Sequence, residues 1–347
     1  MPEKTFHSIL IKPKSLFHLG EGGAGVRGLT PYPHSDTLFS AFCHAYLQIF
    51  GRGRLEELLK EFINGEPPFL ISSAFPLIYA DSRIYFFPKP HIAVNMEVSE
   101  EFWDAWKTTS YFSKSIFENL LVNGVEGVKR AFEDGEICLK SGVMLTENEL
   151  KLVGEELVPY QVIQLPRSVI KRVTKPKTQS TMIYYVGATA YRNAGMHVLL
   201  DAKHEYLGEI EAALKLLGDE GIGGKRALGY GTFDFSMERI SLTEAGESEA
   251  LVALSLFYPL EEEVRRFMQK PQLLGYRLLS RGGYASSPLI KGGKLKSTVR
   301  MMSEGSVFPK IEGRKLYGGF PRVLGRREGV PHEVYRYGYA LPLSIKV

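Results

Sequence analysis

Residues 218–231 hold the densest set of groups that could bind an anion. Six of these fourteen residues are glycine, and Lys225 and Arg226 stand among them. Glycine lets backbone N–H groups approach a ligand closely and adopts positive φ without strain, so such stretches form anion-binding concavities. The two cations suit phosphate oxygens. The pattern predicts a surface for a nucleic-acid backbone; a tight helix-to-strand turn with a glycine C-cap is the structural alternative.

The elements on either side of this stretch exclude a nucleotide-binding phosphate loop. Residues 207–217 place apolar side chains at helical spacing, and residues 232–237 alternate as a half-buried strand does. A phosphate loop runs from a strand into a helix whose N-terminus binds the anion. The order here is the reverse, and Arg226 follows Lys225 where the Walker motif has Ser or Thr. We therefore reject a Walker loop.

A second glycine-rich stretch, residues 20–28, is flanked by His18, His34 and Asp36, whose side chains could act as acids or bases. Metal-free RNA cleavage needs a base and an oxyanion stabiliser, and His18 or His34 could be the base. A helix N-cap at Ser35 or Asp36 is the simpler alternative. No His-x-x-x-His, Cys-x-x-Cys or Gly-x-Ser-x-Gly occurs. We expect no metal, no cofactor and no dedicated small-molecule substrate.

Composition bounds the class of protein. A chain of 347 residues predicts two domains, or one domain with a large insertion. The hydrophobic content of 44% and charged content of 24% are ordinary for soluble globular proteins. The sequence contains no apolar run of 18 residues, so we expect no membrane span. The first residues lack a signal-peptide pattern, which favours the cytoplasm. Cys43 and Cys138 are isolated and are interpreted as small hydrophobes.

Charge is segregated along the chain although the net charge is only +4. Residues 157–200 and 264–303 contain no acid, and the second of these blocks holds nine Lys or Arg. Residues 97–156 reverse the sign, with thirteen acids against six bases. Such segregation indicates basic faces for an anionic partner, and an acidic segment that faces a protein or solvent. A mosaic of solvated surface is the alternative for either basic block.

The periodicities predict an α+β fold. Strand patterns occupy residues 5–19, 69–79, 195–201 and 232–237, and helical patterns lie near residues 38–49, 55–63 and 207–217. This is the order β-α-β-β-α-β of the ferredoxin-like fold, whose sheet face binds RNA in many modules. We assign residues 1–243 to this domain, with an insertion at about 80–193. Within the insertion, residues 165–186 form a basic hairpin that carries Arg167, Lys171 and Arg172.

A second, shorter copy of this order is predicted for residues 249–347, after a linker near residues 243–248. Its strand patterns are residues 250–258, 274–280, 297–302 and the strictly alternating 335–347, with a short helix at 260–268. A second helix is not evident. The prediction of a duplication depends on element order alone.

Several of these segments resemble the RAMP superfamily of CRISPR proteins, and most of all the family of the fourth subunit of the Csm (type III-A) effector complex. The resemblance lies in Phe17-His-Leu-Gly-Glu-Gly-Gly, His34-Ser-Asp-Thr-Leu-Phe-Ser-Ala and Gly223-Gly-Lys-Arg-Ala-Leu-Gly-Tyr-Gly. The later Arg281-Gly-Gly-Tyr and Met301-Met-Ser-Glu-Gly-Ser are similar to the second domain of that subunit. The resemblance covers both predicted domains.

The resemblance implies two ferredoxin-like (RRM-like) domains and a non-catalytic RNA-binding role in antiviral defence. Such a subunit holds the 5′ repeat-derived handle of the guide RNA, docks on the large polymerase-like subunit and adjoins a backbone RAMP subunit. The hairpin would be the family's thumb. Together, the residues and the resemblance give these RNA-binding positions: His18, Gly22, Gly23, His34, Ser35, Arg167, Lys171, Arg172, Gly223, Gly224, Lys225, Arg226, Gly229, Gly231, Arg281, Gly282 and Gly283.

Two other functions stay open. A RAMP endoribonuclease could process guide-RNA precursors with His18 or His34 as general base. Those nucleases carry their glycine loop close to the C-terminus, whereas more than a hundred residues follow residue 231 here. A scaffold without RNA contact would leave the glycines and the acid-free blocks unexplained.

Overall fold

The computed structural model describes residues 2–20, 28–80, 82–94, 97–154, 157–170, 181–285 and 293–347. The first part of the chain contains β1 (Glu3–Pro13), α1 (Ser35–Ile63), β2 (Phe69–Ile71) and β3 (Phe75–Tyr79). The insertion follows, with β4 (Arg83–Pro88), α2 (Glu100–Thr108), β5 (Tyr111–Ser113), α3 (Lys114–Glu133), β6 (Ile137–Lys140), β7 (Val143–Thr146), α4 (Glu147–Val153), β8 (Gln161–Ile170) and β9 (Thr181–Ala190). The chain then returns to the first part through β10 (Ala194–Ala202), α5 (Leu207–Glu220) and β11 (Phe233–Thr243).

The C-terminal region (residues 250–347) is built mainly from short strands. They are β12 (Ala250–Ala253), β13 (Leu278–Arg281), β14 (Tyr284–Ala285), β15 (Lys294–Leu295), β16 (Val299–Met302), β17 (Val307–Pro309), β18 (Gly318–Gly319), β19 (Arg322–Leu324), β20 (Val334–Tyr335), β21 (Gly338–Tyr339) and β22 (Pro342–Ile345). Its α-helix in the described residues is α6 (Glu261–Phe267). The α+β class is therefore confirmed, and the second ferredoxin-like unit stays a prediction.

One large sheet organises the first part and much of the insertion. Its strand order is β11-β1-β10-β3-β4-β5-β7-β6, and β2 also pairs with β10. All of these pairs are antiparallel except β5 with β7. The strands β11, β1, β10 and β3 thus come together from distant parts of the sequence, and β10 and β11 follow the insertion.

Both faces of this sheet are covered along its strand β1. Along β1, Ile9 and Ile11 pack with α1 and α5 on one face, whereas Phe6 and Leu10 pack on the other face with α3 and with strands of the C-terminal region. Successive side chains of a strand point to opposite faces, so the continuous apolar run in β1 is what a doubly covered strand requires. The sheet face that binds RNA in many ferredoxin-like modules is occupied by protein here.

Several predicted boundaries change. α1 is interrupted at Gly51, where φ is 79° and ψ is 175°, so the predicted stop and second helix are confirmed. The structural alternative of an N-cap at Ser35 or Asp36 is not what forms: the cap is His34, and no side-chain bond caps the helix. The predicted strand at residues 335–347 is also wrong, because β20, β21 and β22 pair with three different strands.

Among the described residues, no helix is long and apolar enough to cross a membrane. In the same part of the chain, no group of three or more His, Cys, Asp or Glu side chains could hold a metal ion.

Candidate nucleic-acid interface

The glycine loop, defined as residues 221–231, connects the end of α5 to β11. Gly221 is the C-cap of α5, with φ of 84°, so the expected glycine cap exists. Positive φ angles recur at Gly223, Gly229 and Gly231. Lys225 also adopts the left-handed conformation, with φ of 62°, which is uncommon for a residue other than glycine. The loop is a fixed series of turns that begins as a helix cap and extends well beyond it.

The base of the loop is held by packing against residues 16–19. The N–H of Gly224 donates to the His18 carbonyl at 2.8 Å, and the N–H of Gly231 donates to the Leu16 carbonyl at 2.8 Å. A Cβ on Gly223 would lie 2.7 Å from the His18 oxygen, and one on Gly231 would overlap the backbone of Ile222. These glycines are required by close backbone contacts inside the protein, whatever ligand the loop binds.

The tip of the loop has a different environment, because residues 224–229 are all exposed. The backbone N–H groups of Lys225, Arg226 and Ala227 meet no backbone acceptor in the described ranges. A Cβ on Gly229 would meet nothing within 4 Å. Packing therefore does not explain a glycine there, and the tip presents open backbone to solvent.

The two cations of the tip are free to meet an outside anion. The ion pair given for Arg226, to Glu220, is 3.9 Å long, and both side chains are more than a third exposed. Such a pair contributes little, typically 0–1 kcal/mol. No ion pair of Lys225 occurs among the described residues.

The hairpin and His18 meet the glycine loop. β8 and β9 pair along their whole length, from Gln161 with Ala190 to Ile170 with Thr181. Arg167 on β8 donates to the Tyr230 hydroxyl at 3.1 Å, and its guanidinium lies 6.0 Å from the centre of the Tyr230 ring. His18 Nδ1 donates to the Gly187 carbonyl of β9 at 2.7 Å. Arg167, His18 and the loop therefore form one surface, as a shared RNA contact would require. Gly22, Gly23, Lys171 and Arg172 lie outside the described residues.

The remaining predicted positions lie in a second place, where α1 meets the C-terminal region. The Ser35 hydroxyl accepts a hydrogen bond from the Leu256 N–H at 3.0 Å, and the Ser35 N–H donates to the Ser73 hydroxyl at 2.8 Å. Ser35 has no exposed surface. Its side chain joins α1 to the C-terminal region, so we leave Ser35 out of the proposed interface.

Asp36, beside it, binds two arginines from the C-terminal region. Arg281 contacts both carboxylate oxygens, at 2.9 and 3.1 Å, and Arg336 also donates to this carboxylate. Burial alone would raise the pKa of Asp36, but Arg281 and Arg336 outweigh burial and lower it to about 2. Arg336 also donates to the Gly282 carbonyl at 2.9 Å. The Arg281 guanidinium is thus already bound, whereas Gly283 is exposed with φ of 92°.

His34 belongs to the same junction. Its Nδ1 donates to Glu304 at 2.7 Å, and Ser73 donates to the same carboxylate. Burial works to raise the pKa of Glu304, but His34 and Ser73 lower it below the usual value. We call His34, Ser35, Asp36, Arg281 and Arg336 the junction cluster.

A family model described as the RAMP superfamily matches residues 11–234. The chain belongs to the RAMP superfamily. A second model, described as the CRISPR Csm4 C-terminal domain, matches residues 246–345 of this RAMP protein. The first match contains the whole glycine loop and the hairpin, and the second contains Arg281 and Arg336.

Relatives of this RAMP protein carry the name CRISPR system Cms protein Csm4. The one from Thermococcus onnurineus (strain NA1) is 29% identical over 323 residues, which is 91% of this chain and 92% of the relative. The one from Methanocaldococcus jannaschii is 26% identical over 336 residues, with 86% and 85% covered.

Solved structures share the fold. A chain of the Csm3–Csm4 subcomplex of the type III-A CRISPR-Cas interference complex superposes with a TM-score of 0.63 at 19% identity, covering 98% of this chain and 100% of that one. A chain of the Csm1–Csm4 cassette in complex with cA3 gives 0.60 at 22% identity, with 99% of each chain covered. The whole described α+β architecture is therefore that of known RAMP structures.

Sequence reasoning missed two contributors to these clusters in the RAMP protein. Tyr230 is buried between two glycines and receives Arg167, and an aromatic residue inside Gly-Tyr-Gly was the available signal. No sequence signal pointed to Arg336, because it is separated from Asp36 by 300 positions in the sequence.

Proposed function

We propose that this RAMP protein holds the 5′ repeat-derived handle of the guide RNA in a type III-A CRISPR effector (Csm) complex, without cutting it. The observation that carries the proposal is the tip of the glycine loop, where Lys225, Arg226 and open backbone N–H groups face solvent together. RNA phosphates accept from both kinds of donor, and backbone donors need the close approach that glycine permits.

Arg167 extends this surface onto the hairpin. Its Nε is buried without a hydrogen-bond partner in the described residues, while its Nη2 is held by Tyr230. An unsatisfied buried guanidinium nitrogen is costly, and an RNA oxygen at this place would satisfy it. Arg167 is thus oriented in advance for an anion. We assign the hairpin the role of the family's thumb.

We propose two protein partners, the large polymerase-like subunit and the adjacent backbone RAMP subunit. The support is that structures of similar chains are described as Csm1–Csm4 and Csm3–Csm4 complexes. The proposed domains are residues 1–243, with the insertion at about 80–193, and residues 249–347, both ferredoxin-like. The element order of the first part supports this division.

The acidic insertion segment, residues 97–156, serves a protein partner or solvent in this proposal. Glu100 and Glu101 lie in the first turn of α2, where carboxylates favour the helix dipole. They therefore have a local structural use and would repel RNA phosphates.

The test compares RNA affinity at several salt concentrations for the assembled complex. Lys225→Ala with Arg226→Ala should weaken guide-RNA binding and reduce the slope of log affinity against log salt by about 1.4, at roughly 0.7 per single-strand phosphate contact. The matched control removes two exposed lysines elsewhere, Lys310→Ala with Lys315→Ala, and should leave the slope unchanged. Equal slopes for both double variants would contradict an RNA-binding loop.

The alternative is a metal-independent endoribonuclease, and one observation favours keeping it in the test. The His18 ring lies against the glycine loop, since a Cβ on Gly224 would be 2.8 Å from His18 Cδ2. Incubation with repeat-containing RNA, with and without divalent metal, should leave the RNA intact. Cleavage that His18→Ala or His34→Ala abolishes would replace the binding function with the nuclease.

A further inference from the structure

A cavity of about 450 Å³ opens between the start of α1, the insertion and the C-terminal region. Its walls include Tyr32, Lys89, His91, Tyr111, Arg277 and Glu304. The volume is many times the roughly 30 Å³ share of one water and falls within the usual range of small-molecule sites. No residue of the glycine loop is among the described residues that line it, so the cavity is separate from the proposed RNA surface.

The charged groups of the cavity favour an anion. Lys89 is half-buried; its ammonium donates to the Trp106 carbonyl at 2.6 Å and has no ion pair in the described part of the chain. Burial lowers the pKa of Lys89, because desolvation disfavours an unpaired charge. Arg277 is exposed at the rim and is likewise without an ion pair there. One carboxylate, Glu304, lines the described walls, and it already accepts from His34 and Ser73.

The backbone holds these groups in place. The Lys89 N–H donates to the Ser110 carbonyl at 3.0 Å, and the His91 N–H donates to the Gly305 carbonyl at 2.7 Å. His91 Nε2 hydrogen-bonds with the Ser303 hydroxyl at 3.1 Å. The pKa of His91 is lowered by burial and, after that, by the nearby charges of Lys89 and Arg277.

A second observation also points to a ligand. Tyr32 is only 3% exposed, yet its hydroxyl has no hydrogen-bond partner among the described residues. Its ring stands edge-on to Tyr111, with centroids 5.9 Å apart. A buried hydroxyl without a partner costs free energy comparable to a lost hydrogen bond, and a ligand acceptor in the cavity would recover it.

We propose that this cavity binds a single nucleotide. The phosphate would meet Lys89 and Arg277, the Tyr32 hydroxyl would donate to a ligand oxygen or ring nitrogen, and the base would lie against the aromatic wall of Tyr32, Phe75 and Tyr111. An inorganic anion would leave most of the volume and the aromatic wall unused, and an apolar ligand would leave the half-buried Lys89 without a counter-charge. The nucleotide is either free or the end of an RNA strand, since both offer this chemistry.

Isothermal titration of the purified full chain tests the inference. AMP, CMP, GMP and UMP are titrated separately, with adenosine and inorganic phosphate as partial ligands. At least one nucleoside monophosphate should bind at a 1:1 ratio, and adenosine and phosphate should each bind at least about tenfold more weakly, because each lacks half of the contacts. Absence of saturable binding for all four nucleotides at millimolar concentration overturns the proposal.

Three variants locate the site. Lys89→Met should weaken binding at least about tenfold through the lost charged contact, and Tyr32→Phe about two- to tenfold through the lost hydroxyl. Arg277→Met, an exposed change that leaves the fold intact, should weaken binding severalfold. The control is Lys107→Met, which removes an exposed lysine of the same insertion. If Arg277→Met and Lys89→Met both bind like wild type while folded, the cavity is not the site.

A competition experiment distinguishes a free nucleotide from the end of an RNA strand as the ligand of the cavity. It also tests the cavity independently of the RNA-binding glycine loop. Saturating guide RNA should displace AMP if the cavity takes the end of an RNA strand, and should leave AMP bound if it takes a free nucleotide; either result retains the site. Loss of guide-RNA binding in the Lys225→Ala, Arg226→Ala variant should leave AMP binding unchanged. If none of the four nucleotides binds while RNA binding stays intact, this inference alone is overturned.

Discussion

In the glycine loop, Lys225 and Arg226 are exposed beside open backbone N–H groups, whereas in the junction cluster Arg281 and Arg336 are buried against Asp36. The two places look alike in sequence, because Lys225 and Arg226 follow two glycines and Arg281 precedes two glycines. They differ in that a buried carboxylate is present only at the junction among the described residues of the two clusters. Where a carboxylate is available inside the protein, the arginines bind it and lose their availability to RNA.

Basic residues near glycines therefore have two uses in this protein. At the loop, the cations have no strong partner inside the protein, so they can bind an outside anion. At the junction, the same residue types hold α1 to the C-terminal region through two contacts on one carboxylate. Mutations at the two places should therefore have different effects. Those in the junction cluster should lower stability, and those at the tip of the glycine loop should weaken RNA binding.

The largest effect is expected for Asp36→Ala. It leaves two buried guanidinium groups without a counter-charge, and breaking a buried pair in this way typically costs about 3–5 kcal/mol of unfolding free energy. Urea unfolding measures it. The control, Asp234→Ala, removes a 67% exposed partner of Lys14 and should cost at most about 1 kcal/mol. Similar losses for both would mean that the junction is an ordinary surface pair.

The next effect concerns pH and His197, a buried group without an ionic partner. Its Nε2 donates to the Phe86 carbonyl at 2.8 Å, and burial lowers its pKa from 6.5 to about 4. The unfolded chain then binds the extra proton between these two values, so stability falls as pH falls through this window. Between pH 7 and pH 5 the loss should be about 2 kcal/mol in urea unfolding.

His197→Gln should remove that part of the acid dependence, although its stability at pH 7 is lower. The exposed His204→Gln is the control and should keep the wild-type dependence. If His197→Gln loses as much stability on acidification as wild type, another group is responsible.

A smaller effect should separate the tip of the loop from its base. Gly229→Asn adds a side chain where nothing lies within 4 Å of the Cβ, and Asn tolerates positive φ, so stability should change by less than about 1 kcal/mol. Guide-RNA affinity should fall about three- to tenfold, because the side chain keeps RNA from the backbone.

The same substitution at the base, Gly231→Asn, should instead destabilise the protein, since its Cβ would overlap Ile222. Filter binding and urea unfolding of both variants are the measurements. A Gly229→Asn variant with wild-type affinity would mean that the backbone at the tip does not touch RNA.

The smallest effect is expected for the acidic segment. Reversal of Glu100, Glu101 and Asp104 to Lys should leave guide-RNA affinity equal or slightly raised, because acids there repel phosphate. Stability should fall by about 0.3–1 kcal/mol for each of the two first-turn glutamates, through the helix dipole. A large loss of RNA binding in a folded variant would place this segment in the interface.

Local pattern was enough to predict the elements that frame the glycine loop. Helical spacing and the terminal glycine give α5, and alternation gives β11, because both signals lie within a few residues. The break of α1 at Gly51 was predictable for the same reason. The likeness of the loop to RAMP proteins was visible in its residues as well.

Long-range partners could not be predicted. Nothing near Asp36 indicates Arg336, and nothing in β1 indicates that α3 and the C-terminal region cover the second face of its sheet. The strict alternation of residues 335–347 predicted one strand. Instead, β20 pairs with β19, β21 with β18 and β22 with β12, so this segment forms three short strands with three different partners. Spacing determines which side chains share a face, and it does not determine what packs against that face.

The covering of the large sheet has a consequence for folding during synthesis. Leu341 and, in β22, Leu343 and Ile345 complete the core beneath that sheet, and the Lys346 N–H donates to the Leu121 carbonyl of α3 at 2.9 Å. The ribosome must therefore finish β22 before the apolar face formed by β1, β10 and β11 is closed. Until then that apolar face is open to other nascent chains, which makes the unfinished chain prone to aggregation.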